Sequence, residues 1–181
     1  ALGMANARFQ IQVEPGQGWS ANGCDKLAIL SSANPGQEPR SIQKVASGGE
    51  LSRIALAIKT VTANRDGSPA SMVFDEIDTG IGGRTAQMVA ERIAMVAAHR
   101  QVLCITHLPQ IACMADTHLY ISKHVIDNQT STVIHPLTTG ERVNEIARMA
   151  SGANVSSASL DNAREMIAYA GVKKEEYKKN G

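Results

Sequence analysis

The spacing of apolar residues in this chain switches repeatedly between the two-residue period of a strand and the longer period of a helix. Residues 7–13 alternate apolar and polar side chains, which predicts a half-buried strand, and residues 26–31 predict a second one. Pro15 and the glycines from Gly16 to Gly23 predict a turn-rich loop between these two strands.

The middle of the chain alternates strands with helices. The segment Ser47–Glu50, a serine followed three residues later by a glutamate, fits a capping box, and apolar residues at helical spacing follow it as far as Thr62. Short apolar runs at 71–74 and 101–106 predict buried strands, with an amphipathic helix at 86–97 between them. This alternation predicts an α/β fold with a mainly parallel sheet flanked by helices.

Beyond residue 108 the predicted elements are a short helix at 109–115, strands at 117–123 and 130–137, and closing helices at 141–149 and 156–170. Because no internal linker divides the chain, residues 1–172 are predicted to form one domain. Residues 173–181 mix lysines with glutamates and are predicted to be a solvated charged tail rather than a DNA contact.

The composition narrows the classes of function. Apolar residues make up 43% of the 181-residue chain, which is enough for a core, and the formal net charge of +1 gives no strongly basic nucleic-acid surface. The three cysteines show no CxxC spacing, which favours reduced thiols in a cytoplasmic protein. No apolar run approaches the roughly 18 residues of a membrane span, so no membrane partner is expected.

Three segments carry candidate chemistry, and the first is the start of the helix predicted near Ser47. In Ser47–Ser52, glycines in the first turn leave backbone N–H groups uncovered, and the helix N-terminus adds partial positive charge. A phosphate is the anion that suits this arrangement, with the hydroxyl of Ser47 as a further donor. The alternative is an ordinary capped helix with no ligand.

The second segment is the apolar run at 71–74, which ends in Asp75 and Glu76. Ligands of open α/β sheets bind at the carboxyl ends of the strands. An aspartate there can hold Mg²⁺, and the neighbouring glutamate can orient and deprotonate an attacking water. The alternative is a strand that ends in a solvated turn.

The third segment is Cys104–His107, which closes the strand predicted at 101–106. Neighbouring strand ends would bring His107 close to Asp75 and Glu76, where its ring could bind a γ-phosphate or the attacking water. The alternatives are a histidine with a structural role and, with Cys104, a thiol nucleophile pair or part of a metal site, although no further ligands follow at suitable spacing.

The order of these segments resembles the ABC-type ATPase head, with its signature motif, Walker B strand and switch histidine. Residues 77–83 occupy the place of the D-loop, and the Asp-Glu-Ile-Asp sequence after an apolar strand is similar to the SMC branch. Within that branch, residues 44–53, 74–86 and 106–111 resemble the bacterial RecN family. The resemblance covers roughly residues 5 to 170 and implies the C-terminal lobe of an ATPase head.

The resemblance assigns roles to individual positions. The residues that it places at the ATP of an opposite head or in the loop between heads are Ser47, Gly48, Gly49, Glu50, Asp78 and Gly80. It makes Asp75 the Mg²⁺ ligand, Glu76 the general base and His107 the sensor of the γ-phosphate. ATP and Mg²⁺ are therefore the implied cofactors, and DNA repair in the cytoplasm, at the nucleoid, is the implied setting.

A complete head of this kind also needs the phosphate-binding loop G-x-x-x-x-G-K-[ST]. The glycine-rich stretch 16–23 is not followed by that pattern, and no long heptad run is present. The implied partners are thus an N-terminal lobe that carries the Walker A loop, a second head across ATP, and DNA. The chain alone is predicted to hydrolyse ATP negligibly.

Three other hypotheses compete with that of an ATP-hydrolysing head lobe. A nucleotide-gated clamp would tether DNA and use hydrolysis only to reset. A RecF-type, break-repair or chromosome-organising SMC-like head would share the motifs, although the Thr106–Ala112 segment argues against it. A general α/β interaction domain would carry the motifs by coincidence.

Overall fold

The computed structural model describes residues 2, 7–21, 23–32, 36, 38–42, 48–62, 70–126 and 129–179. In chain order its strands are β1 (Arg8–Ser20), β2 (Gly23–Ser32), β3 (Arg40–Ser41), β4 (Ser71–Phe74), β5 (Gln101–Cys104), β6 (Leu119–Ile126) and β7 (Gln129–Pro136). Its helices are α1 (Gly48–Thr62), α2 (Gly83–Ala97), α3 (Pro109–Ala112), α4 (Thr139–Ser151) and α5 (Ser157–Lys179).

The predicted strand–helix–strand unit is present as β4, α2 and β5. The two strands pair in parallel from Ser71↔Gln101 to Phe74↔Cys104, and α2 packs against them with its apolar face buried. The α/β prediction is confirmed, but the parallel sheet has only these two strands among the described residues. In the other two sheets, strands that are consecutive in the chain pair antiparallel, whereas a parallel pair needs a longer crossover.

The first hairpin is longer than the sequence pattern predicts. Strand β1 continues to Ser20, through most of the predicted loop, and its register with β2 shifts between Pro15 and Ser20. Such an irregularity accommodates a residue without an N–H donor, so Pro15 does not end the strand. The loop predicted over these residues is therefore wrong, and the chain turns only after Ser20.

The core lies between α2, the inner face of β4 and the C-terminal helices. Its fully buried larger side chains are Leu56, Ile77, Val89, Val96 and Ile146. These come from α1, the loop after β4, α2 and α4, so one core joins the candidate site to the C-terminal helices.

The C-terminal hairpin and helices match the pattern closely. β6 and β7 lie close to the two predicted strands and pair antiparallel, and α4 begins with a capping box in which Thr138 and Glu141 bond each other's backbone. The structure differs after residue 172, where α5 continues to Lys179 instead of ending in a separate tail. Ion pairs one helical turn apart support that extension, as between Lys173 and Glu176.

Two contacts fix this last part of α5 to the rest of the chain. Lys174 Nζ lies 2.9 Å from Asp116 Oδ1, and Tyr177 packs against the core. None of the described helices combines the length and the apolar character that crossing a membrane requires.

Candidate functional site

The glycine end of α1 lies directly against the loop that follows β4. A side chain at Gly48 would overlap the carboxylate of Glu76. At Gly49, a Cβ would come within 2.8 Å of the Glu76 carbonyl oxygen and 3.0 Å of Thr79 Cβ. Gly49 therefore requires glycine, because backbone atoms lie too close for a side chain, whereas at Gly48 the Glu76 side chain would have to move. Two of the three predicted segments meet here.

Glu76 sits in an unusual backbone conformation. Its φ of 55° lies in the left-handed region, which costs a non-glycine residue free energy and is frequent at functional sites. The turn is held by Glu76 N–H, which donates to Asp75 Oδ1 at 2.9 Å, and by Thr79 N–H, which donates to the Glu76 carbonyl oxygen at 3.1 Å. The result is an exposed carboxylate aimed at the glycine end of α1.

Asp75 lies at the carboxyl end of β4 with an exposed side chain. Its carbonyl oxygen accepts a hydrogen bond from Ser52 Oγ at 2.9 Å, which fixes the strand end to α1. The described residues contain no group of three acidic, histidine or cysteine side chains that could hold a metal. Mg²⁺ that is bound mainly by water and substrate phosphates needs only one or two carboxylates, so Asp75 fits this kind of site.

The end of β5 is fixed by one buried carboxylate, that of Asp78. Asp78 is 3% exposed. Its Oδ2 accepts from Thr106 Oγ1 at 2.6 Å and from His107 N–H at 2.9 Å, and lies 3.0 Å from His107 Nδ1. The His107 ring itself is 73% exposed. The family resemblance implies that Asp78 lies between two heads, whereas in the structure its carboxylate is bonded within its own chain.

The Asp78 carboxylate, 3.0 Å from Nδ1, influences which hydrogen bonds His107 can make. Because a carboxylate only accepts, it favours the neutral tautomer with the proton on Nδ1, in which Nε2 is an acceptor. A protonated ring would donate from Nε2 as well. The exposed Nε2 can thus accept a hydrogen bond from a water or, when protonated, donate one to a phosphate oxygen.

Sequence reasoning did not give Arg53 a role. This arginine is 6% exposed, and its Nη1 donates to the carbonyl oxygens of Ile77 at 3.3 Å and Thr79 at 3.0 Å. Burial lowers the pKa of Arg53, and the charge of Glu50 opposes that shift. The only feature of the sequence that could have indicated such a role is the position of Arg53, a charged residue on the inner face of α1, one turn after the glycines.

Cys104 lies beside these acids but is a poor nucleophile. Burial, followed by the negative charges of Asp78 and Asp75, raises the pKa of its thiol to about 12. Because the thiolate is the reactive form, this environment disfavours the alternative in which Cys104 and His107 act as a nucleophilic pair.

The remaining predicted residues are placed as follows. Glu50 lies in the first turn of α1. Gly80 is exposed in the loop after Asp78 and has a φ of 73°, a conformation that favours glycine. Ser47, and with it the predicted capping box, lies outside the described residues.

Comparisons with known proteins identify close relatives in bacteria. The chain is 49% identical over 148 residues to the DNA repair protein RecN of Bacillus subtilis, which covers 82% of this chain and 26% of that protein. It is 44% identical over 171 residues to the RecN of Halalkalibacterium halodurans and 40% identical over 167 residues to that of Haemophilus influenzae. Each of these two matches covers 92% of this chain and 30% of the relative.

The chain therefore spans less than a third of the length of these relatives. No protein-family model matches it. A solved structure described as "Structural biochemistry of ATP-driven dimerization and DNA stimulated activation of SMC ATPases" covers 84% of this chain and 86% of that chain, with 19% identity and a TM-score of 0.49.

Proposed function

This chain belongs to the RecN family, and we propose that it is the catalytic half of an ATP-hydrolysing head that works in DNA repair. The observation that carries the proposal is the meeting of three groups at one edge of the parallel strand pair. Glu76 follows β4, His107 follows β5, and the glycine end of α1 packs against Glu76. Carboxyl ends of parallel strands are where open α/β sheets bind their ligands.

Glu76 is the general base of the proposed reaction. Its exposed carboxylate would accept a proton from the water that attacks the γ-phosphate of ATP. His107 would present Nε2 to the same water or, when protonated, to a phosphate oxygen, because its Nδ1 faces the Asp78 carboxylate at 3.0 Å. Asp75 would hold Mg²⁺, which when bound neutralises phosphate charge.

The helix end at Gly48 and Gly49 offers backbone N–H groups to an anion. In the proposed head dimer, these residues, with Ser47 and Glu50, contact the nucleotide held by the opposite head. The exposed loop residue Gly80 follows Thr79, which lies against Gly49, and would face the same partner. Partial positive charge at the helix N-terminus favours this contact with phosphate.

Exposed apolar side chains on the strands support the proposal that a second lobe packs against this chain. On the first hairpin, Ile11 pairs with Ile29 and Val13 with Leu27, and all four are exposed. On the parallel pair, Val73, Leu103 and Ile105 are exposed as well. Apolar surface of this extent is typical of an interface, and we propose that the lobe with the phosphate-binding loop covers it.

The proposed setting is DNA repair at the nucleoid in the cytoplasm. The support is that the relatives are named DNA repair proteins. The near-neutral charge of the chain means that a DNA-binding surface would be formed largely by other parts of the protein.

The experiment that tests the function is ATP turnover by the protein that contains both lobes, compared with its Glu76→Gln variant. Loss of a general base is expected to lower kcat by about 10²- to 10⁴-fold with little change in ATP binding. Glu165→Gln, a change at an exposed glutamate on α5, is the matched control and should leave kcat unchanged. A Glu76→Gln variant with wild-type turnover would exclude Glu76 as the base.

A further inference from the structure

Arg53 and Asp78 are linked through one short segment of backbone. The two carbonyl groups that Arg53 holds belong to Ile77 and Thr79, the residues on either side of Asp78. Ile77 is fully buried, so this segment is held by packing on one side and by Arg53 on the other. The Asp78 carboxylate therefore has little freedom to move independently of α1.

Asp78 in turn fixes the residues at the end of β5. It accepts hydrogen bonds from the backbone of His107 and the hydroxyl of Thr106, and Thr106 Oγ1 also accepts from Leu108 N–H at 3.0 Å. His107 Nδ1 also lies 3.0 Å from Asp78 Oδ2, within ion-pair distance. Because the buried carboxylate accepts from both the Thr106 hydroxyl and the His107 N–H, a shift of the carboxylate should displace the end of β5 and the histidine with it.

We propose that Arg53 and Asp78 are positioning residues that couple the glycine end of α1 to the orientation and tautomer of His107. This relay rests on the proposed function for its purpose. The glycine end would contact ATP on the opposite head, whereas His107 would contact ATP held with its own chain. The relay thus connects two ATP sites through one chain. When the nucleotide on the opposite head displaces α1, the hydrogen bond that His107 offers to the nucleotide held with its own chain changes.

The chain contains a matched control for Arg53. Arg142, in α4, also donates to two loop carbonyl groups, those of Cys113 and Ala115, each at 2.7 Å. Each arginine also has a buried Nε without a hydrogen-bond partner among the described residues. The two differ in that only Arg53 holds the segment that contains Asp78. A general effect of removing a buried arginine should therefore appear in both variants, and an effect on His107 only in the Arg53 variant.

The first test is nitrogen NMR of the histidine rings in the 181-residue chain at mildly alkaline pH, which needs no nucleotide. In the wild type, His107 should carry its proton on Nδ1. Asp78→Ala removes the acceptor, and the signal should change to that of a ring protonated on Nε2. In folded Arg53→Met, the signal of the His107 ring protonated on Nδ1 should be weaker than in the wild type. In Arg142→Met, this signal should be unchanged.

Arg53→Lys provides a second variant if Arg53→Met does not fold. Lysine keeps the charge and one donor nitrogen, so Arg53→Lys should retain more of the signal of the Nδ1-protonated ring than Arg53→Met does. Combining Arg53→Lys with Asp78→Ala should change His107 no more than Asp78→Ala alone, because the arginine acts through the aspartate. A folded Arg53 variant with an unchanged His107 signal would overturn the relay.

The second test is kinetic and uses the protein with both lobes. Arg53→Lys should lower kcat more than it changes KM, and it should weaken any dependence of one ATP site on occupancy of the other. Arg142→Lys should change neither quantity. If the wild-type protein with both lobes does not hydrolyse ATP, the proposed function fails, while the NMR result still decides whether Arg53 positions His107.

Discussion

Helices α4 and α5 bury several of their apolar residues in the core, whereas β1 and β2 leave most of their large apolar side chains exposed. Ile146 and Ala163 are fully buried, and α4 carries its own cap. By contrast, Ile11 is 67% exposed and Leu27 is 66% exposed on a hairpin that has no partner layer on that face among the described residues. The helical end thus contributes to the core within this chain, whereas the strand end leaves an apolar face that we propose meets another surface.

The largest expected difference between the two regions is in stability. Ile146→Ala should lower the free energy of unfolding by about 2–5 kcal/mol, because it leaves a cavity in the core. Ile11→Ala, the same change at an exposed position, should cost at most about 0.5 kcal/mol in the chain alone. Urea unfolding of both variants measures the difference, and equal losses would mean that the strand face is already covered.

A smaller effect is expected at the start of α4. Thr138→Ala removes the side-chain cap on Glu141 N–H and should lower the free energy of unfolding by about 1 kcal/mol. Thr139→Ala, one residue further on, is the control because the capping oxygen stays in place. Calorimetry of the two variants should give a lower Tm only for Thr138→Ala, and identical values would show that the cap contributes nothing.

The smallest effect concerns the pH dependence of the helical end. Burial and the charge of Arg142 lower the pKa of His118 from its ordinary value of 6.5, with Glu145 opposing the shift. The unfolded chain then binds this proton at a higher pH than the folded chain, so stability is retained above pH 6.5 and falls as the pH drops below it.

His118→Gln removes that titration. Relative to wild type, this variant should gain stability when the pH is lowered from neutral to about one unit below 6.5. Denaturant unfolding at the two pH values measures the change. A constant difference between the two proteins would show that His118 is free to protonate in the folded state.

The sequence predicted elements well where one physical signal determines them. The β4–α2–β5 unit follows from the periods of its apolar residues, and β6 and β7 lie close to the two strands predicted at 117–123 and 130–137. The extension of α5 was missed because lysines and glutamates suggest a solvated tail, whereas pairs one turn apart also stabilise a helix.

For the candidate site, the sequence predicted the groups but not how they are arranged. Glu76 and His107 follow from their positions at strand ends. The contacts of Arg53 and Asp78 join residues more than twenty positions apart, and no local pattern specifies such pairs. The buried position of Asp78 could not be predicted either, because an aspartate in a loop is equally compatible with an exposed position.

The most direct measurement is ATP turnover by the 181-residue chain alone and after addition of the lobe that carries the phosphate-binding loop. The chain alone should hydrolyse ATP negligibly, because nothing in its sequence matches that loop. Addition of the second lobe should produce turnover that Glu76→Gln abolishes. Turnover by the chain alone that depends on Glu76, or none after the two lobes associate, would contradict the assignment of this chain as the catalytic half of a shared ATP site.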